Sequence, residues 1–202
     1  MPYRRIFLYS CFLFLMTGLA RAATDPAGII RSASDKVLVI LQDKSLSRNQ
    51  RWQRVSEILR ASFDFEGISR SVLATNWQQA TAEEQRRFVE YFSQYLEAVY
   101  RTRIEAYTEQ KIRIDAEKLQ GSRAVVDTTI ISDKVEIPVN YRMRHKDGKW
   151  LVYDVLIEGQ SMVSSYRSTF NAIAQSSGMQ GLLVDVQRRI EKHRKARESS
   201  PE

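Results

Sequence analysis

Residues 134–159, KVEIPVNYRMRHKDGKWLVYDVLIEG, carry the pattern that decides the fold. From Val135 to Met143 the apolar side chains Val135, Ile137, Val139, Tyr141 and Met143 take every second position, with Glu136, Asn140, Arg142 and Arg144 among those between. A period of two puts the first set on one face of a strand and the second on the other, so one face is buried and one is wet. Asp147-Gly148 supplies the residues a tight hairpin needs. Beyond it, Trp150 to Ile157 is apolar on both faces except at Asp154, as expected of a strand central in its sheet.

Working outward, Ile112 and Ile114 alternate with charged residues, and Ser122–Ser132 forms another strand-like run. Four strands joined by short turns predict a curved antiparallel meander. On the N-terminal side the period is helical. Ile30, Ala33, Val37 and Leu41 mark one helix, and Trp52, Val55 and Leu59 a second behind the capping box Ser47-x-x-Gln50. Asp64 caps a third, with Phe65, Ile68 and Val72 on one side. Thr81-x-x-Glu84 opens the longest helix, whose polar stripe runs Glu83, Arg87, Glu90, Gln94, Glu97, Arg101, Glu105. Its other side, Phe88, Phe92, Leu96, Tyr100 and Ile104 flanked by Tyr95 and Val99, is wider than one partner helix requires and predicts packing on a sheet or around a cavity.

After Gly159, Ser161 reads as an N-cap, and Met162, Val163, Tyr166, Phe170 and Ile173 form a helical stripe that closes at Ser177-Gly178. A last helix carries Leu182, Leu183, Val186 and Ile190. The fold class is therefore α+β: N-terminal helices including one long amphipathic helix, a curved four-stranded antiparallel sheet, and C-terminal helices, with the long helix and the C-terminal pair over one face of the sheet.

The first residues read as an export leader. Arg4 and Arg5 precede an apolar run from Ile6 to Met16, and Ala20-Arg21-Ala22 has the small-x-small pattern of a cleavage site. That run is too short for a hydrocarbon layer of ~30 Å. The expected organisation is a cleaved leader over 1–22, a single domain over 23–190 and a basic, frayed tail over 191–202. Cys11, the only cysteine, leaves with the leader, so no disulfide or thiol nucleophile remains. Too few apolar residues precede Cys11 for it to be a lipoprotein attachment site.

The formal charge of +7 loses Arg4, Arg5 and Arg21 with the leader and becomes +4. Arg188, Arg189, Lys192, Arg194, Lys195 and Arg197, set against Glu191 and Glu198, account for that remainder, so the body is near neutral. A neutral body does not suit a nucleic-acid footprint spread over a face. The cationic end suits transient contact with anionic headgroups or an acidic partner, or is a solvated helix end.

Catalytic constellations are missing from the pattern. His145 sits beside a turn and His193 in the basic tail, and no HExxH, Gly-rich phosphate loop or metal-ligand spacing occurs. Gly159-x-Ser161 has half of a hydrolase elbow without its second glycine. Asp154 reads as a hydrogen-bonded structural carboxylate. The expectation is a protein that is not an enzyme, with no catalytic residue, no metal and no cofactor.

Phe63-Asp64-Phe65-Glu66-Gly67-Ile68-Ser69-Arg70-Ser71-Val72-Leu73, Trp77, Glu84-Gln85-Arg86-Arg87-Phe88, Trp150-Leu151-Val152-Tyr153-Asp154-Val155, and Ile157-Glu158-Gly159-Gln160-Ser161-Met162-Val163 with Tyr166-Arg167 and Phe170 form an ordered set. Together they resemble the MlaC, or toluene-tolerance (Ttg2-type), family of periplasmic phospholipid-binding shuttle proteins, over roughly residues 30–190. Two departures stand out: Ala74 where a glycine is common, and Gln160 where a small apolar residue is common, at a position that bears on the cavity mouth.

The resemblance implies a carrier with an apolar lipid cavity and phospholipid as cargo. It would move lipid between an inner-membrane ABC transporter complex and an outer-membrane lipoprotein complex and so maintain outer-membrane lipid asymmetry. The acyl chains are expected between Val139 and Tyr141 on the sheet and Phe92, Leu96, Tyr100, Met162, Val163, Tyr166 and Phe170 on the helices. A hopanoid or other apolar cargo is the alternative within the family, and a periplasmic interaction module with a filled core is the alternative outside it.

If the leader is removed as expected, N-terminal sequencing of the exported protein will begin at Ala23; retention of residues 1–22, or a lipid on Cys11, would contradict it.

Overall fold

The structure is a computed structural model that describes residues 25–106, 110–132 and 135–199. The expected leader, with Cys11 and the Ala22 cleavage site, lies outside the described residues. Five helices come first: α1 (Pro26–Gln42), α2 (Arg48–Ser62), α3 (Phe65–Leu73), α4 (Thr75–Gln79) and α5 (Ala82–Glu105). The strands β1 (Lys111–Gln120), β2 (Arg123–Ile131), β3 (Glu136–Lys146), β4 (Lys149–Ile157) and β5 (Gln160–Ser161) follow, and α6 (Met162–Glu198) closes the chain. Both capping boxes form, at Ser47/Gln50 and Thr81/Glu84, and Asp64 and Ser161 cap α3 and α6. Each satisfies amide groups that the first helical turn leaves without partners.

The sheet is an open antiparallel meander in the order β1-β2-β3-β4-β5. It has five strands where four were expected. The fifth is only two residues long and turns back on β4 through Glu158 and Gly159, both at positive φ (51° and 79°), a shape that fits the type I′ turn. β4 is likewise not central. Its outer edge meets only β5 at one end, while further along Asp64 donates its backbone N–H to the Val152 carbonyl at 2.9 Å. The apolar character on both faces of β4 comes from helices docking along it, not from a strand on each side.

α1 lies over β1 and β2, and Ile30 enters a sheet cluster with Ala124, Val126, Val139, Met143, Val152 and Val155. A second cluster joins α3, α4, α5 and α6 through Ile68, Leu73, Trp77, Phe88, Phe92 and Phe170. The long helix therefore does not cover the sheet as expected. Its aromatic stripe is taken up mainly by α6 and α3, and the helical layer reaches the sheet at β4 through α2, α3 and α6.

The polar stripe of α5 is not uniformly wet. Arg101 is buried, donating to Glu105 (2.6 Å) and Asn49 (3.0 Å) beneath the Trp52 ring, and Glu97 accepts from Ser56 (2.8 Å). The C-terminal part of the stripe, Glu97, Arg101 and Glu105, thus serves as the α2–α5 interface, which periodicity alone cannot distinguish from a solvated face.

α6 bends at Gly178 (φ 67°, ψ −179°), where the sequence pattern closes one helix and opens another. The chain then stays helical to Glu198, whereas a frayed tail was expected from residue 191. Arg194 pairs with Glu191 and Glu198, and the His193 ring sits 5.9 Å from that of Tyr95, so the end is laced to itself and to α5.

Ala74, between α3 and α4, has φ 50° and ψ −118°, a region costing a side-chain-bearing residue about 1–3 kcal/mol. The departure expected from the family resemblance, alanine in place of glycine, thus falls at a backbone conformation that favours glycine. Ala74→Gly relieves the strain, less ~0.5–1 kcal/mol of glycine backbone entropy. We expect a gain of about 1 kcal/mol, read as a rise of ~2–4 °C in melting temperature; an unchanged or lower value would contradict the strain.

Candidate functional site

Three segments meet where the helical layer touches the sheet: the C-terminal turns of α5, the β4–β5 turn and the first turns of α6. Between them lies a cleft of ≈ 400 Å³, inside the ~300–1,000 Å³ range of small-ligand sites. Tyr100, Ile157, Met162 and Tyr166 give it apolar walls, and Arg103, Glu158, Gln160, Ser165 and Thr169 complete its lining.

Asp154 positions the α6 side of this cleft. It is buried on β4, accepting the Ser161 hydroxyl (2.7 Å) and the Val163 backbone N–H (3.1 Å), with Arg142 at 3.3 Å. Ser161 Oγ in turn accepts from Ser164 N (3.1 Å). The serine that shares half of a hydrolase elbow is thus committed to capping α6, and Asp154 is the structural carboxylate its surroundings suggested. Among the described residues no group of three or more His, Cys, Asp or Glu side chains could hold a metal ion.

Behind the cleft stands an aromatic wall. Tyr166 stacks on Phe170 (5.7 Å between centroids) and meets Phe92 and Tyr95 edge-on at 5.3 and 5.7 Å, while Phe170 meets Phe88 and Phe92. Edge-on and offset contacts of this kind add to plain area burial and stiffen the wall. Burial, with the neighbouring Tyr100 and Tyr95 hydroxyls, pushes the Tyr166 phenol far above its ordinary range, so the ring facing the cleft stays uncharged.

Of the nine residues singled out from the sequence, Tyr100, Met162 and Tyr166 line the cleft. Phe92, Leu96, Val163 and Phe170 belong to the packed helical cluster behind it. Val139 and Tyr141 are not beside them but in the sheet cluster under α1. The two groups are linked by Ile157, which lines the cleft, packs against the sheet cluster and lies opposite Val139 in the β3–β4 register. Phe63 makes a second link, packing against both clusters. Tyr141 keeps part of its surface accessible although burial pushes its hydroxyl up to about 12, as for a ring whose polar end lies deep in the protein.

Sequence reasoning missed Arg103, Ile157, Glu158, Ser165 and Thr169. Arg103 lies three residues past Tyr100, the spacing that sets two side chains side by side on a helix, and its guanidinium is 5.9 Å from the Tyr100 ring centroid. That spacing was a usable signal; the approach of the β4–β5 turn was not. Gln160, marked by its departure from the usual small residue, does line the cleft.

Comparisons with known proteins agree on one kinship. The family model described as MlaC protein matches residues 31–188. The intermembrane phospholipid transport system binding protein MlaC of Haemophilus influenzae is 26% identical over 184 residues, covering 86% of each chain. The toluene tolerance protein ttg2D of Pseudomonas putida is 28% identical over 168 residues, covering 79% of this chain and 78% of that one. A solved phospholipid-binding protein from Ralstonia solanacearum, in complex with a phospholipid, superposes with a TM-score of 0.76 at 21% identity, over 84% of this chain and 98% of its own.

Removing the cap that frames the cleft should loosen it. Asp154→Ala strips partners from Ser161 Oγ and Val163 N and should lower stability by about 2 kcal/mol, and Ser161→Ala by about 1 kcal/mol. Urea unfolding measures both; equal stability to wild type would show that α6 is anchored elsewhere.

Proposed function

This chain belongs to the MlaC family, and on that premise we propose that it is a periplasmic phospholipid carrier that takes lipid from one membrane of the bacterial envelope and delivers it to the other. The observation that carries this reading is the cleft at the helix–sheet seam, one of whose lining residues, Ile157, also packs against the sheet cluster that holds Val139 and Tyr141. The names of the H. influenzae and P. putida relatives and the phospholipid bound by the R. solanacearum protein support it.

In this reading one acyl chain enters past Tyr100, Met162 and Tyr166 and continues toward the sheet cluster, with Phe92, Leu96, Val163 and Phe170 packed behind these residues as their support. Removing ~14 methylenes from water is worth on the order of 10 kcal/mol at ~0.8 kcal/mol each. A bilayer offers the same burial, so exchange between membrane and protein can be close to neutral. Cargo then moves down its own gradient with no covalent step, and the chemistry an enzyme would need has no task here.

The partners are an inner-membrane ABC transporter complex on one side and an outer-membrane lipoprotein complex on the other, reached after export and removal of the leader. Encounter with anionic surfaces is assigned to the basic end of α6. Arg188 and Arg189 there are held by the buried Asp185, while Lys192 and Lys195 have no ion-pair partner among the described residues. Contact through these side chains is electrostatic steering and weakens with salt.

Tyr100→Asp replaces an apolar ring of the acyl path with a short polar carboxylate at a half-buried position on the edge of the helical cluster. Phospholipid copurifying with the protein, measured by extraction and mass spectrometry, should fall several-fold while the melting temperature stays within a few degrees of wild type. A full lipid load on the folded variant would remove Tyr100 from the path, and wild type carrying no lipid would overturn the carrier reading.

A further inference from the structure

The rim of the cleft holds two opposite charges that neither packing nor capping uses. Arg103, on the last turn of α5, and Glu158, on the β4–β5 turn, both line it, and both are exposed. Among the described residues neither has an ion-pair partner, although most acidic side chains near the seam do: Asp154 with Arg142, Asp64 with Arg144 and Lys146, Glu105 with Arg48 and Arg101.

Glu158 is held in place by its turn. Its φ is 51°, and its backbone N–H donates to the Pro138 carbonyl at 3.0 Å. Arg103 lies beside the Tyr100 ring, which restricts its swing. A cation from one element and an anion from another therefore both line a cleft that combines apolar walls at Ile157 and Met162 with polar groups.

We propose that Arg103 and Glu158 form a headgroup subsite selecting lipids that carry both a phosphate and an amine, the phosphoethanolamine type, over lipids carrying phosphate alone. The inference rests on the carrier reading above. Guanidinium matches the geometry of phosphate oxygens, and a carboxylate lining the same cleft pairs with a primary ammonium. A phosphoglycerol headgroup satisfies Arg103 but sets its hydroxyls opposite Glu158, with no cation to offset the carboxylate. Gln160, Ser165 and Thr169 supply neutral polar groups that serve either headgroup and do not discriminate.

Because the rim is exposed, the preference is modest, about three- to five-fold, the upper end of what a single solvent-screened pair supplies. The test incubates full-length exported protein, stripped of lipid, with vesicles of equimolar phosphatidylethanolamine and phosphatidylglycerol bearing identical acyl chains, and counts each bound species by mass spectrometry. Wild type should favour phosphatidylethanolamine by at least three-fold. Glu158→Gln should bring the ratio close to one, and Glu158→Arg should reverse it. Arg103→Gln should lower both species together.

Equal uptake of the two lipids by fully loaded wild type, or an unaltered ratio in Glu158→Gln, would overturn the headgroup subsite and leave the carrier reading standing. Wild type that takes up neither lipid would overturn both. Circular dichroism on each variant identifies any that is misfolded, and Glu158→Asn, whose side chain tolerates positive φ, then replaces Glu158→Gln.

Discussion

Asp64 and Asp154 are both buried, and each ties a helix to the same strand. Asp64 caps α3 through Gly67 N (2.9 Å), gives its own N–H to Val152 on β4, and is held by Arg144 on β3. Asp154 sits within β4 and reaches up to cap α6. A buried carboxylate without partners would be strongly disfavoured, so the two acids specify where helix ends must arrive. Gly67 shows how tight the arrangement is, since a side chain there would overlap the Arg144 guanidinium. Everything placed by α3 and α6, including the aromatic wall, inherits its position from these contacts.

The same seam explains why the molecule has two apolar clusters and not one. The carboxylates and their cations occupy part of the junction, and the helical cluster closes largely on itself through Phe88, Phe92 and Phe170. The sheet cluster closes under α1, whose Ala27 N–H donates to Glu117 of β1 at 2.7 Å. Phe63 and Ile157 bridge the two systems at the seam: Phe63 packs against each cluster, and Ile157 joins the sheet cluster to the cleft. A boundary between two separately packed clusters is a place where apolar surface can be offered to a guest without dismantling either, because neither depends on the other for its own burial. For a lipid carrier, that arrangement lets loading and unloading proceed at small net free energy.

Local chemistry is legible in the order of the residues. Strands follow from a period of two, helices from longer steps, and four helix starts from Ser47, Asp64, Thr81 and Ser161 with the residues behind them. These signals depend on neighbours a few residues apart, and the sequence contains those neighbours. The family resemblance rests on the same short runs. Even the departure at Ala74 is visible there, although the positive φ that gives it meaning is not.

The longer elements, and which of their sides is apolar, thus largely follow from the sequence alone, because both are properties of side chains in regular backbone; the short α4 and β5 do not. Which apolar side meets which is settled only by tertiary packing. The aromatic side of α5 could have faced the sheet; it faces α6 because Tyr166 and Phe170 interleave with Phe92, while Asp154 fixes the angle at which α6 starts. The candidate site divides the same way: Tyr100, Met162 and Tyr166 are readable as apolar helix positions, but Arg103 and Glu158 gain their place from a turn 55 residues away in the chain folding back beside the helix end. No periodicity records such a meeting, since it depends on the summed packing of every element between them.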